Sequence, residues 1–454
     1  MASDDKILND DSLMLVFSYS PAGLGHLRVT DALYTGLPSK VTPILLGSQD
    51  KSITNIHRLV SLHPLMRSFF EWAQSMGHQE YFFTYFYRLG LRRGANLLYR
   101  QIVTLLEQRL ERPKTLLIIA THFGLAHQIA AIKDKIENEQ KIKVVLIVIV
   151  TDDSPQFIWY VDQADLIFVP SVYTQKKLYN YAGKSKLSKT KIVVNPYPVS
   201  PILNQALSEK HYQDRIAQLD LKQKNRVHLV FPVSGAAIGM DFFVKLIDQL
   251  YAKCPRCLFH IVSKTSLYTL PYLNELMSRP YVKIHLAKED KEVVDLYERV
   301  YRQHNFALEI TKPSEQAFKS LIPTNKIGGS LLLFAEPVGR QEIDNLNFMV
   351  KHNLIPNLTQ QRYLWHLSEK NASLETMRNK TSLWEKSRYW RGIVLPHHST
   401  KSANFIWWCF RVGLFKRMIK NRQIPLQTDK IDNEVSPDGV TQFWQKIITY
   451  LQEN

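Results

Sequence analysis

The chain has 454 residues, 45% of them hydrophobic, and 58 Lys+Arg against 41 Asp+Glu, for a formal net charge of +17. That length holds about two or three domains with sizeable cores, and its composition excludes a low-complexity chain. The cationic excess favours anionic partners such as nucleotide phosphates, acidic headgroups or nucleic acid, without choosing among them and without excluding a merely solvated basic surface.

The start, MASDDKILNDD, is acidic and lacks a secretory pattern. The apolar runs near 144–150 and 405–410 are too short to span a bilayer, so a protein that is cytoplasmic or attached to a membrane face is expected. Cys254, Cys257 and Cys409 make no disulfide framework. The Cys254–Cys257 pair has no second pair at zinc spacing and sits at the end of a helical pattern, so packing is the expected role.

LMLVFSYSPAGLGHLRVTDALYTGL, residues 13–37, reads as a strand, a glycine turn and a helix. Such a turn offers backbone N–H groups and a helix N-terminus to an anion at the carboxyl edge of a sheet. Gly23 and Gly25 shape it and His26 adds a group that moves protons near neutral pH. Further strands are predicted at 41–47, 115–121, 143–151, 165–170 and 191–195. LLIIAT and VVLIVIVT are almost continuously apolar, as in a parallel sheet covered on both faces.

An insertion, residues 53–112, interleaves aromatics with Arg88, Arg92, Arg93 and Arg100. Helices of that composition suit a lipid surface, and equally a helical pair packed on the domain. A polar stretch over 200–226 reads as a hinge. From 227 the alternation restarts through VHLVFPVSG, LFHIVSK, VKIHLAK, ALEITKPS and SLLLFAEPVG, a second parallel sheet. The expected organisation is therefore α/β: two Rossmann-like domains, 1–205 and 226–356, facing a cleft, and a Trp-, Lys- and Arg-rich helical extension over 357–454. Within it ANFIWWCFRVGLFKRMIK suits either membrane contact or a buried helix, and 439–453 reads as an amphipathic helix.

Chemistry-bearing residues cluster at predicted strand ends. The positive end of a helix favours the neutral, proton-accepting form of His26. Asp152 and Asp153 follow a buried strand and suit a base, an orienting group or a helix N-cap. His122 also ends a strand. The 234–239 loop, with Ser234, Gly235 and Gly239, can direct N–H groups at a diphosphate. The remaining histidines show no ligand spacing, so no metal is expected.

Taken in order, residues 13–355 resemble the two-Rossmann-domain (GT-B) glycosyltransferases, particularly the monogalactosyldiacylglycerol synthases, diacylglycerol glucosyltransferases and the lipid-linked N-acetylglucosamine transferase of peptidoglycan synthesis. SYSPAGLGHLRVTDAL is similar to their glycine-rich first loop ending in Gly-His, and ATHFGLAHQIAAIK to their Thr-His-Pro-Phe segment without its proline. In IVTDDSPQFIWYVDQADLIFVPS, Thr151, Asp152, Trp159, Asp162, Val169, Pro170 and Ser171 carry the match. Asn195 replaces a glycine in the linker strand KIVVNPYPVSP, and ITKPSEQAF and EPVGRQEIDNLNFM resemble the donor motifs.

The resemblance implies inverting transfer of a hexose from a UDP-sugar to a lipid acceptor such as diacylglycerol, on an anionic membrane surface. It implies no cofactor and no nucleic-acid partner. His26 and Asp152 take the catalytic positions, and Gly23, Gly25, His122 and Trp159 the acceptor side. Ser234, Gly235, Gly239, Ser314, Glu315, Gly339, Gln341, Glu342 and Asn345 take the nucleotide-sugar side. A nucleotide-sugar epimerase or hydrolase on the same fold, or an inactive binding protein, are the alternatives.

Overall fold

A computed structural model of the protein describes residues 6–19, 24–38, 40–47, 78–187, 190–233, 239–379, 381–424 and 434–454. Gly23, Ser234 and Gly235 lie outside them, as do insertion residues 53–77. The chain divides into two compact units, Met1–Ser200 with Asp429–Asn454, and Pro201–Thr428.

In the first unit β1 (Leu13–Tyr19), β2 (Ile44–Gly47), β3 (Thr115–Ala120), β4 (Lys143–Ile149), β5 (Leu166–Val169) and β6 (Lys191–Val194) form one parallel sheet. Their order is β2-β1-β3-β4-β5-β6. β3 and β4 are buried along nearly their whole length, which is why their sequences lack alternation. The register Ser18↔Ala120 and Ala120↔Val148 brings the carboxyl ends of β1, β3 and β4 side by side.

The second unit repeats the plan. β7 (Val227–Pro232), β8 (Cys257–Lys264), β9 (Val282–Ala287), β10 (Leu308–Thr311), β11 (Leu331–Phe334) and β12 (Gly392–Val394) form a parallel sheet in the order β12-β11-β10-β7-β8-β9. The expected α/β class with two Rossmann-like units is what the chain adopts.

Residues 357–454 are not one extension. β12 completes the second sheet through Leu333↔Ile393, and the Ser399–Arg411 helix packs on Met240–Lys253. Phe405, Trp408, Phe415 and Met418 are almost wholly buried, so this apolar run is core. Cys254, Cys257 and Cys409 share that core.

The last helix, Gly439–Glu453, returns to the first unit because its Val440, Phe443, Trp444, Ile447 and Ile448 make one buried stripe. Trp444 Nε1 donates to Leu33 O at 3.0 Å. Asn195, in the place of the expected glycine, donates to Gly439 O at 2.9 Å and accepts from Lys446 at 2.9 Å. The departure from the motif thus anchors the returning helix.

The polar stretch expected as a hinge belongs to the second unit. Its helix, Glu209–Gln218, buries Arg215 completely. That guanidinium donates to the carbonyls of Thr324, Lys326 and Ile327 at 2.7–2.8 Å, which satisfies a buried cation that would otherwise be costly.

Candidate functional site

His26 lies in the first turns of the Leu24–Thr35 helix, close after β1. Its Nδ1 is 2.7 Å from Thr121 O, the residue that follows β3. A carbonyl only accepts, so this contact places the ring proton on Nδ1 and the lone pair of the neutral imidazole on Nε2. Thr30 holds the arrangement: its hydroxyl donates to His26 O at 2.8 Å and meets Thr121 Oγ1 at 2.8 Å. Thr151, after β4, brings its Oγ1 to 3.3 Å from His26 Nδ1. Three neighbouring strands of the sheet therefore converge on one half-buried imidazole.

His122 and Trp159 form the wall beside it. The His26 and His122 rings meet edge to face at 4.8 Å, and Trp159 lies 6.2 Å from His26 and 5.4 Å from Phe123. His122 is fully buried. It caps the Phe123–Gln140 helix, with its Nδ1 accepting from Gly124 N–H at 3.2 Å. Trp159 is also buried, and its indole N–H finds no acceptor among the described residues.

The two aspartates separate. Asp153 is buried and accepts from the hydroxyls of Ser171 and, at 2.7 Å, Thr174, while Ser171 Oγ accepts from Thr174 N–H. It ties the Thr-Asp turn to the N-cap of the Val172–Lys184 helix. Asp152 is half-buried and directly follows Thr151. Gly25 precedes His26 in the helix.

His127, one turn beyond His122, was not singled out in the sequence. It is buried, and its Nε2–H donates to Ile158 O at 2.8 Å. Burial, then the charges of Arg88 and Arg92, push it down to about 3 from an ordinary value of 6.5. The unfolded chain therefore takes up a proton that the native state refuses. The stability held by neutral His127 is complete above about pH 6.5 and is lost as the pH falls toward about 3. Urea unfolding should show His127→Gln losing less stability on acidification than the parent chain, by about 1.4 kcal/mol per pH unit. Parallel acid curves would remove His127 from the account.

The helix His78–Arg93 packs on this wall, with Tyr81 4.8 Å from Phe157 and Tyr87 6.2 Å from Phe123. Its polarity is reversed. Glu80, Thr84 and Arg88 are buried, with Glu80 accepting from Phe157 N–H at 2.9 Å. Phe82, Tyr85 and Phe86 are 68%, 61% and 65% exposed and Leu89 is 43% exposed. Arg88 therefore does not stand at the outer surface beside the exposed Arg100.

In the second unit the residues expected on the nucleotide-sugar side lie near strand ends and helix starts. Gly239 (φ 81°) opens the Met240–Lys253 helix and Gly339 (φ 94°) opens Arg340–Lys351, left-handed conformations that glycine adopts without penalty. Ser314 stands at the N-cap position of the 3-10 segment Glu315–Leu321 without a side-chain capping bond. Glu342 accepts from Val338 N–H at 2.5 Å, which caps its own helix. Asn345 is buried and donates to Pro313 O at 3.2 Å, fastening the loop after β10 to that helix. Gln341 is exposed at the helix start.

Sequence reasoning missed Lys312, in the same ITKPSEQAF motif. Its ammonium donates to Glu336 O at 2.8 Å, and a Cβ at Gly239 would come within 3.9 Å of it. A cation thus sits where the loops after β7, β10 and β11 meet, and its signal was the basic residue directly at a strand end.

The architecture is that of a protein with two Rossmann-like units, the GT-B class. No family model and no curated protein matches the chain. Solved structures resemble it over most of its length. One is the UDP-GlcNAc 2-epimerase of Neisseria meningitidis bound to UDP-GlcNAc, at 10% identity, covering 97% of this chain and 100% of that one, with a TM-score of 0.47. The S. aureus MnaA–UDP structure is similar at 10% identity, 97% and 96% coverage and 0.47. Anabaena Alr3699/HepE with UDP and glucose follows at 14% identity, 97% and 99% coverage and 0.44. Likenesses this distant carry no assignment of activity.

Proposed function

We propose that this chain is a glycosyltransferase that moves a hexose from a UDP-sugar to a lipid acceptor at a membrane surface, with inversion. The observation that carries the reading is the reversed helix His78–Arg93, whose exposed Phe82, Tyr85, Phe86 and Leu89 recur at i, i+3, i+4 and i+7. An apolar stripe of this kind lies favourably in a headgroup boundary, and the same helix is built onto the wall that holds His122 and Trp159. No helix among the described residues is long and apolar enough to cross a membrane, so the attachment proposed is peripheral, and the net charge of +17 favours an anionic surface.

In this reading His26 takes the acceptor hydroxyl proton on Nε2 as that oxygen attacks the anomeric carbon. Thr121 and Thr151 hold the tautomer, and Asp152 lies beside them. In the second unit the helix start at Gly239 and the Lys312 ammonium stabilise the diphosphate that leaves. Glu315, Gln341 and the backbone near Gly339 would meet the nucleoside and sugar.

Radiolabelled UDP-hexoses incubated with vesicles containing diacylglycerol test the reading. Label in the lipid phase supports it. Epimerised or hydrolysed sugar nucleotide with no lipid product would replace it by the alternatives. Lys312→Met should weaken UDP binding about 10- to 100-fold in calorimetric titration, the range expected on losing a charged hydrogen bond. An unchanged Kd takes Lys312 out of the site.

A further inference from the structure

The second unit holds a group of histidines remote from the loops discussed above. His228 on β7, His260 on β8 and His285 on β9 lie on one face of the sheet, and His304 ends the Asp290–Gln303 helix that packs on that face. The register Val230↔His260 and Val262↔His285 sets the three strand histidines on a diagonal. His228 Nδ1 is 3.1 Å from His260 Nε2, and His260 Nδ1 is 3.1 Å from His285 Nε2. The His304 ring closes over them, 4.4 Å from the His260 ring, while Phe306 covers His260 edge-on at 5.0 Å.

We propose that His228, His260 and His304 form a binding site for one divalent transition-metal ion of the zinc type, with His285 orienting His260 from behind. One ring nitrogen from each of the three lies within 4.8 Å of the others. Two nitrogens each held about 2.0–2.1 Å from a tetrahedral zinc stand about 3.3 Å apart, close to the 3.1 Å between His228 Nδ1 and His260 Nε2. With Nε2 of His260 on the metal, its Nδ1–H donates to His285, the outer contact that fixes a ligating imidazole.

The chemistry of the donors agrees. Three imidazoles suit Zn²⁺, Co²⁺, Ni²⁺ or Cu²⁺ and not Mg²⁺ or Ca²⁺. His228 is the second residue of β7, whereas Gly239 follows that strand's other end. The ion would clamp β7, β8 and a helix end without entering the sugar-nucleotide loops.

The test uses the full chain after chelator treatment and dialysis. Cobalt chloride is titrated at neutral pH, following the visible d–d absorption of four-coordinate cobalt, and zinc is used to displace it. One Co²⁺ per chain is expected, with affinity reduced at least tenfold in His304→Gln and His228→Gln and about 10- to 100-fold in His285→Gln. His366→Gln, an exposed histidine elsewhere in the unit, should bind as the parent does. Zinc should also protect His228 and His304 of the unaltered chain from diethylpyrocarbonate, a readout that needs no variant. The proposal is overturned by absence of saturable binding, by binding that His304→Gln and His228→Gln leave intact, or by binding lost in Cys254→Ser alone, which would assign the ion to the thiols.

Discussion

Replacing His26 with alanine is expected to lower kcat for sugar transfer by about 10²- to 10⁴-fold, the range for losing a positioned general base, with the Kd for UDP within about twofold. The expectation follows from where the proton sits. Thr121 O, 2.7 Å from Nδ1, holds the imidazole in one tautomer and orients the ring. The lone pair that would accept a proton is then on Nε2. In the proposed reading UDP is bound by residues of the second unit, so affinity and rate should separate. A second variant, Thr121→Ala, keeps the carbonyl and should cost far less than His26→Ala. Replacing Thr30, whose hydroxyl touches both His26 O and Thr121 Oγ1, should loosen the ring and shift the acid limb of the kcat/KM profile. Full turnover by His26→Ala would sink the role.

The second large effect concerns the aromatic stripe. Phe82→Ser with Phe86→Ser should reduce sedimentation with anionic vesicles by about a hundredfold. Fully burying a phenylalanine side chain is worth about 1.5–3 kcal/mol. Two such residues entering a headgroup boundary in part give about 3 kcal/mol, or two factors of ten. Both side chains are more than half exposed, so the folded chain should tolerate the change, and UDP binding should be unaltered. Residual attraction should fall with salt if the basic surface contributes. Vesicle binding that survives the double substitution would remove the helix from the membrane contact and leave the lipid-acceptor reading without its support.

Much of the fold was legible because buried parallel strands leave a plain signal. Thr115–Ala120 and Lys143–Ile149 could hardly be anything else between helical patterns. β12 was missed because three residues, Gly392–Val394, carry no period, and the strand exists only through its pairing with β11. The segment 403–420 suited either membrane contact or a buried helix until Trp408, with Trp390 beside β12, was found in a core. For the candidate site, strand-end placement pointed to His26, His122 and the Asp152–Asp153 pair and passed over Lys312, and the division of labour between Asp152 and Asp153 needed the Ser171 and Thr174 hydroxyls.

By itself, the sequence determined the two rounds of strand and helix and the residues at the strand ends. Those features depend on local period and on turn chemistry, which act over a few residues. Only the tertiary structure decided which face of His78–Arg93 turns outward, because its helical period permits either face until Glu80 finds the Phe157 N–H. It also decided that Asn195 anchors the final helix and that His228, His260, His285 and His304 share one face. Those facts rest on strand register and on contacts between segments far apart in the chain, where burial and hydrogen-bond satisfaction override local pattern.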